Sequence, residues 1–272
     1  MGQIVARFVM PHAPILIEDI GMGSEKQAIL TIKGMERIAD RISKLDFDTV
    51  LIITPHGYSA GDSHTIINME HAQGDFREFG NFNLSYGFDI NKSLTNRILE
   101  YSESEGFKLM EITKKQLSDH ELPSILDHGC LVPLHFINKS GKKYDLVDIS
   151  YGLSSYSDII KFGKLLNKAI EYGDENVLVI ASGDLSHKAS NSSPYGFDSR
   201  GLAFDKEFRK ILSNGKTMEL LDMDRTILDY SYECGFRSIL MMLGTLKGDS
   251  FDFKEFSYEH PFGIGYMTAE IL

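Results

Sequence analysis

Cysteine is scarce in this sequence, with only Cys130 and Cys234 among 272 residues. Two thiols cannot build a disulfide framework, and neither belongs to a Cys-x-x-Cys pair, which argues against a structural zinc cluster or an iron–sulfur site. Positive charge is also in short supply: 28 Lys and Arg face 39 Asp and Glu, a net charge of −11. A nucleic-acid surface needs basic patches, so that partner class loses support. No stretch approaches the ~18 uninterrupted apolar residues of a membrane helix. Residues 1–20, for instance, are broken by Arg7, Pro11, His12, Pro14, Glu18 and Asp19. Gly-x-Gly-x-x-Gly, Walker and Gly-x-Ser-x-Gly signatures are missing, which removes the usual nucleotide and serine-hydrolase readings. Internal repeats and low-complexity linkers are missing as well. What remains is an acidic, globular chain with 42% hydrophobic residues, expected in the cytoplasm and long enough for one α/β domain over residues 1–272.

Apolar, β-rich runs at 4–10, 49–54, 107–112, 144–149, 176–181 and 263–271 alternate with helical patterns. This alternation predicts a central sheet flanked by helices. Ala28, Ile29, Ile32, Met35, Ile38, Ala39, Ile42 and Leu45 recur at steps of three and four, so one amphipathic helix is expected over 24–45 with Ser24 as its N-cap. Further helices fit 91–105, 156–172, 199–213 and 227–246, the last apolar on most faces. The Gly-, Asn- and Asp-rich segment 57–90 reads as a long loop or a small hairpin.

Three histidines sit just after apolar strands: His12 in Pro-His-Ala-Pro, His56 in Thr-Pro-His-Gly and His187 in Ser-Gly-Asp-Leu-Ser-His. A fourth, His128, lies in Leu-Asp-His-Gly-Cys-Leu-Val-Pro-Leu. Strand ends are where α/β folds collect ligands, because the loops there converge on one crevice. Any single histidine of this kind can be an ordinary turn residue, but four at element boundaries suggest one site. Of the others, His64 and His71 read as loop surface and His135 as core or support, while His120 and His260 stay open. A metal held by imidazoles needs a charge-compensating ligand, and Glu233 stands in an apolar segment where an unpaired carboxylate is costly. The alternatives are a Glu233–Arg237 pair at i,i+4 and ligation by the adjacent Cys234, a thiol that favours softer metals such as Cu(I) or Zn. Two His and one carboxylate form the set that leaves open positions on Fe(II). His128 and His187 would then be free for acid–base work, with Asp184 either holding the His187 ring or capping a turn.

Together with Glu-Cys-Gly-x-Arg and the closing Tyr-Glu-His-Pro-Phe-Gly-Ile-Gly-Tyr, these motifs, in this order, resemble the class III extradiol ring-cleavage dioxygenases of the LigB type. The nearest resemblance is to the dioxygenase-like proteins of the AmmeMemoRadiSam system, which are similar to MEMO. The resemblance implies a single α/β domain with a central mixed β-sheet flanked by helices. It implies Fe(II) held by His12, His56 and Glu233, with His187 as the acid–base residue and His128 contacting substrate or oxygen. The implied reaction opens a catechol-like aromatic ring with dioxygen. In MEMO-like proteins a Cys replaces the carboxylate, and because Glu233 and Cys234 are adjacent here the alignment leaves either of them to face the metal, with Zn or Cu as alternative metals and function through partner proteins of that system as the alternative to ring cleavage. A zinc-dependent hydrolase built on the same histidines is a third reading. A homo-oligomer is compatible with the resemblance, and the substrate's identity is beyond it.

Overall fold

The structure is a computed structural model that describes residues 1–58, 61–119 and 126–272. Its ten strands are β1 (Gln3–Met10), β2 (Thr49–Thr54), β3 (His64–Ile67), β4 (His71–Phe76), β5 (Asn81–Asp89), β6 (Leu109–Ile112), β7 (Asp145–Ser150), β8 (Asn176–Ser182), β9 (Phe253–Glu259) and β10 (Tyr266–Ile271). Helices are α1 (Glu18–Gly21), α2 (Ile29–Ser43), α3 (Lys92–Glu105), α4 (Lys114–Asp119), α5 (His128–Asn138), α6 (Tyr156–Glu171), α7 (Ser199–Asn214), α8 (Arg225–Ser231) and α9 (Phe236–Gly244). Eight strands form one mixed sheet in the order β6-β3-β7-β2-β8-β1-β10-β9, and β4 and β5 make a separate hairpin.

The four central strands β7, β2, β8 and β1 run parallel. Their sequences are continuous apolar runs because both faces are covered. Side chains alternate between two cores: Val50 and Ile52 join α2 and α5 on one face, whereas Leu51 and Ile53 join α6, α7 and α9 on the other. Antiparallel strands close both flanks, β3 against β7 and β10 against β1.

Three expectations need correction. Ser24 does not cap one long helix: residues Ser24–Ala28 form a 3-10 turn and α2 begins at Ile29. Segment 57–90 contains the expected hairpin, but it also gives β3 to the main sheet. The helix expected over 227–246 is two helices, α8 and α9. Tyr232 between them adopts a left-handed conformation with φ +58°, and the amides of Cys234 and Gly235 donate to the carbonyl of Asp184 instead of continuing the helix. Apolar periodicity runs across the break, so it leaves no trace in the pattern.

Candidate metal centre

The carboxyl ends of β1, β8 and β2 lie side by side on one edge of the sheet, with Met10 opposite Ser182. His12, Asp184 and His56 each stand two residues beyond their strand, so the same offset on three neighbouring strands delivers three polar side chains to one place. His128 arrives from a different element, as the first residue of α5, whose N-cap Asp127 accepts the Cys130 amide. Cys234 comes from the turn between α8 and α9.

The side chains converge closely. His12 Nε2 lies 3.0 Å from His56 Nε2 and 3.4 Å from Cys234 Sγ. The His56 and His128 rings stack with centroids 4.3 Å apart, and His12 meets both edge-on. His187 Nε2 is 3.7 Å from Cys234 Sγ, and Asp184 Oδ2 is 3.8 Å from His12 Nε2. His12 and Asp184 are buried, His128, His187 and Cys234 are half-buried, and His56 is the most exposed of the group, although its ring is packed against those of His12 and His128. Two ligand groupings lie within bonding reach of one ion: His12, His56 and His128, and His12, Asp184 and Cys234.

These spacings suit a metal. Donors at about 2.0–2.1 Å (N) and 2.3 Å (S) from one ion, at angles near 90–110°, lie ~3–3.6 Å from one another. The two contacts of His12 Nε2 fall in that interval. Protonation agrees. Desolvation drives His56, His128 and His187 down to about 4 and His12 well below the usual imidazole value, and neighbouring histidines add to the effect at His12, His56 and His187. At neutral pH the imidazoles therefore present lone pairs rather than charges. Desolvation also lifts the Cys234 thiol and raises Asp184 to about 7.

Glu233 is placed elsewhere. Its Oε2 accepts the amide of Phe236 at 2.5 Å, capping the start of α9. Burial raises its carboxyl to about 7, partly opposed by that amide and by Arg237. Adjacent residues on a turning backbone diverge, so when Cys234 faces His12 its neighbour faces the helix. Neither does Asp184 hold the His187 ring. Its Oδ1 accepts the His12 amide at 3.1 Å and its carbonyl receives the Cys234 turn. His64 is buried in β3 with Nδ1 accepting the Gly152 amide, not on a surface loop, whereas His71 is exposed and pairs with Asp89. His135 is half-buried against the Tyr86 hydroxyl. His120 lies outside the described residues, and His260 closes a turn through its carbonyl to Gly263.

Several contributors escape a reading based on titratable residues. Thr54 Oγ1 donates to Asp127 Oδ1 and accepts the His56 amide, tying the His56 and His128 loops together. Phe79 stands edge-on to His128, and Tyr195 stacks on His187. Lys188 places its ammonium 3.9 Å over the Tyr232 ring. The motif glycines are steric necessities: a Cβ on Gly129 would lie 2.4 Å from Thr54 Oγ1, and one on Gly183 would lie 2.1 Å from the Gly235 Cα. Gly183 and Gly235 touch where the β8 loop meets the Cys234 turn, which gives the Ser-Gly-Asp and Glu-Cys-Gly motifs a shared physical reason.

Residues 6–269 match the family model described as the catalytic LigB subunit of aromatic ring-opening dioxygenase. The chain belongs to the LigB family. Among relatives of this LigB chain, a Clostridium acetobutylicum protein is 38% identical over 97% of the chain, which spans only 56% of that relative's length. An Escherichia coli 3,4-dihydroxyphenylacetate 2,3-dioxygenase is 28% identical over 94% of the chain and 95% of its own length. A Beta vulgaris 4,5-DOPA dioxygenase extradiol is 26% identical over 69% of the chain and 68% of its own. An uncharacterized Escherichia coli K12 protein has the same fold, with a TM-score of 0.66 at 13% identity over 98% of this chain and 99% of that one. Among the described residues, no helix of the LigB chain is long and apolar enough to cross a membrane.

Proposed function

We propose that this LigB chain is a metal-dependent extradiol dioxygenase that opens a catechol-like aromatic ring with dioxygen, using Fe(II). The observation that carries the reading is the convergence of His12, His56, His128, His187 and Cys234 in one cluster beyond the strand ends. Under this proposal His12, the residue common to both groupings, holds the metal together with His56 from one and Cys234 from the other, and Asp184 fixes the backbone of His12. When bound, the metal supplies Lewis-acid activation of the two hydroxyls and a place for dioxygen. His187 and His128 do the proton work. Both are neutral at physiological pH because burial has lowered them to about 4, so each is ready to accept a hydroxyl proton and return it later. Phe79, edge-on to His128, and Tyr195, stacked on His187, offer apolar walls to an aromatic substrate.

One observation favours a second reading. Cys234 rather than Glu233 faces His12, which departs from the two-histidine, one-carboxylate set and suits softer metals such as Zn or Cu(I). A MEMO-like protein that binds metal and works through partner proteins of the AmmeMemoRadiSam system would have such a site. Both free thiols suit the cytoplasm, where we place the protein. The deciding experiment is anaerobic reconstitution with Fe(II), followed by metal analysis and oxygen uptake with a panel of catechols. Stoichiometric iron with substrate-dependent uptake supports the dioxygenase. Bound metal with no uptake across the panel refutes it in favour of the second reading.

A further inference from the structure

Ser182 is the last residue of β8, fully buried, and has no role in the chemistry above. Its hydroxyl makes two contacts at once: it donates to the carbonyl oxygen of Gly129 and lies 3.0 Å from His12 Nδ1. A hydroxyl has one hydrogen, and a carbonyl oxygen only accepts. The hydrogen is therefore committed to Gly129, and the contact with His12 exists only if Nδ1–H donates to Ser182 Oγ. A neutral imidazole carries one N–H, and an imidazole that ligates a metal does so in its neutral form. The lone pair must then sit on Nε2, the nitrogen that faces His56 and Cys234.

We infer that Ser182 is a positioning residue that locks His12 in the Nδ1–H tautomer, with Nε2 aimed as a preset metal donor, and registers α5 against it through Gly129. A second consequence follows from the same count. The 3.0 Å contact between the Nε2 atoms of His12 and His56 needs one hydrogen; with none on His12, His56 supplies it. In the metal-free protein His56 is thus an Nε2–H tautomer, and it must surrender that position when a metal binds, while His12 need not change. The two histidines, equivalent by offset from their strands, are unequal in readiness.

The inference rests on the cluster being a metal site but not on ring cleavage, and it is tested without turnover. Nitrogen NMR of histidine-labelled, metal-free protein at neutral pH reads the protonated nitrogen of each ring directly. The expected spectrum has His12 as a single Nδ1–H tautomer and His56 as Nε2–H, with addition of Zn(II) changing His56 and leaving His12. Ser182→Ala should turn His12 into a tautomer mixture and weaken Zn(II) binding by ~10–100-fold, the usual effect of losing a partner that orients a ligand. Ser43→Ala, on the exposed end of α2, should change neither. A wild-type His12 protonated on Nε2 overturns the inference, even if Ser182→Ala fails to fold. So does a folded Ser182→Ala that keeps a single Nδ1–H tautomer and wild-type affinity. Failure of wild-type protein to bind Zn(II) would instead count against the metal site, leaving the tautomer measurement to stand separately.

Discussion

The placement of Cys234 and Glu233 on opposite sides of one turn predicts opposite outcomes for two adjacent substitutions. Cys234→Ala removes the sulfur that lies 3.4 Å from His12 Nε2. Structural zinc sites with four ligands bind with ~10–16 kcal/mol, or about 2.5–4 kcal/mol per ligand if shared evenly. At about 1.4 kcal/mol per tenfold, the variant should bind Zn(II) on the order of 10²–10³-fold more weakly. Glu233→Gln keeps an oxygen for the Phe236 amide and should leave affinity within about threefold, on the scale of ordinary scatter in such constants. The pH dependence sharpens the test. Burial raises the Cys234 thiol, so metal binding must expel its proton. Affinity should rise by roughly tenfold per pH unit around neutrality in wild-type protein and lose that slope in Cys234→Ala, because the imidazoles are already deprotonated there. Competition against a fluorescent chelator gives the constants, and Co(II) substitution adds a thiolate-to-metal charge-transfer band present only if sulfur is bound. Refutation would be a Cys234→Ala protein with wild-type affinity and slope, or a Glu233→Gln protein that loses as much as expected for the cysteine.

Three more outcomes follow from the geometry. His187→Ala should abolish oxygen uptake with catechols while retaining stoichiometric metal, since its Nε2 contacts Cys234 at 3.7 Å without belonging to the two bonding groups; intact turnover would remove its acid–base role. Gly163→Ala should destabilise by about 1–3 kcal/mol, read as a lowered urea midpoint, because a Cβ there would lie 2.1 Å from the Met241 carbonyl where α6 crosses α9. Asp205 is buried and raised to about 6 by desolvation, opposed by Tyr258 and the Ser186 amide. A carboxyl raised on folding contributes stability that is complete below its unfolded value near 4 and lost as pH rises through about 6. The stability of wild-type protein relative to Asp205→Asn should therefore fall between pH 4 and 7, by up to ~2–3 kcal/mol at 1.36 kcal/mol per unit. A flat difference across that range would show that Asp205 does not titrate there.

The central strands were legible because burial on both faces writes continuous apolar runs into β1, β2, β7 and β8. Strand β9 was not, since an edge strand half-open to solvent reads Phe-Lys-Glu-Phe-Ser-Tyr-Glu, and the short β3 is hidden in polar surroundings. Histidines could be gathered from sequence because strand ends in a parallel sheet share one edge. Which of Glu233 and Cys234 faces His12 could not be, because that follows from the Tyr232 turn, and a left-handed tyrosine carries no signature. Ser182 was visible as the first letter of Ser-Gly-Asp-Leu-Ser-His. Its importance lies in a hydrogen count that only neighbouring atoms reveal.

The position of β1 in the sheet has a consequence for how the site comes into being. This strand lies between β8 and β10, with Arg7 facing both Val179 and Ile271. Strand β1 therefore waits for β10, far along the chain, before it has both neighbours, and such long-range pairing is slow to form. His12 cannot be held until Ser182 and Asp184 exist, nor meet its sulfur until Cys234 has followed. A nascent chain thus offers scattered histidines but no assembled cluster, so under the proposed ligand set metal capture becomes a late event, and a product that stops before Cys234 would lack the sulfur that faces His12.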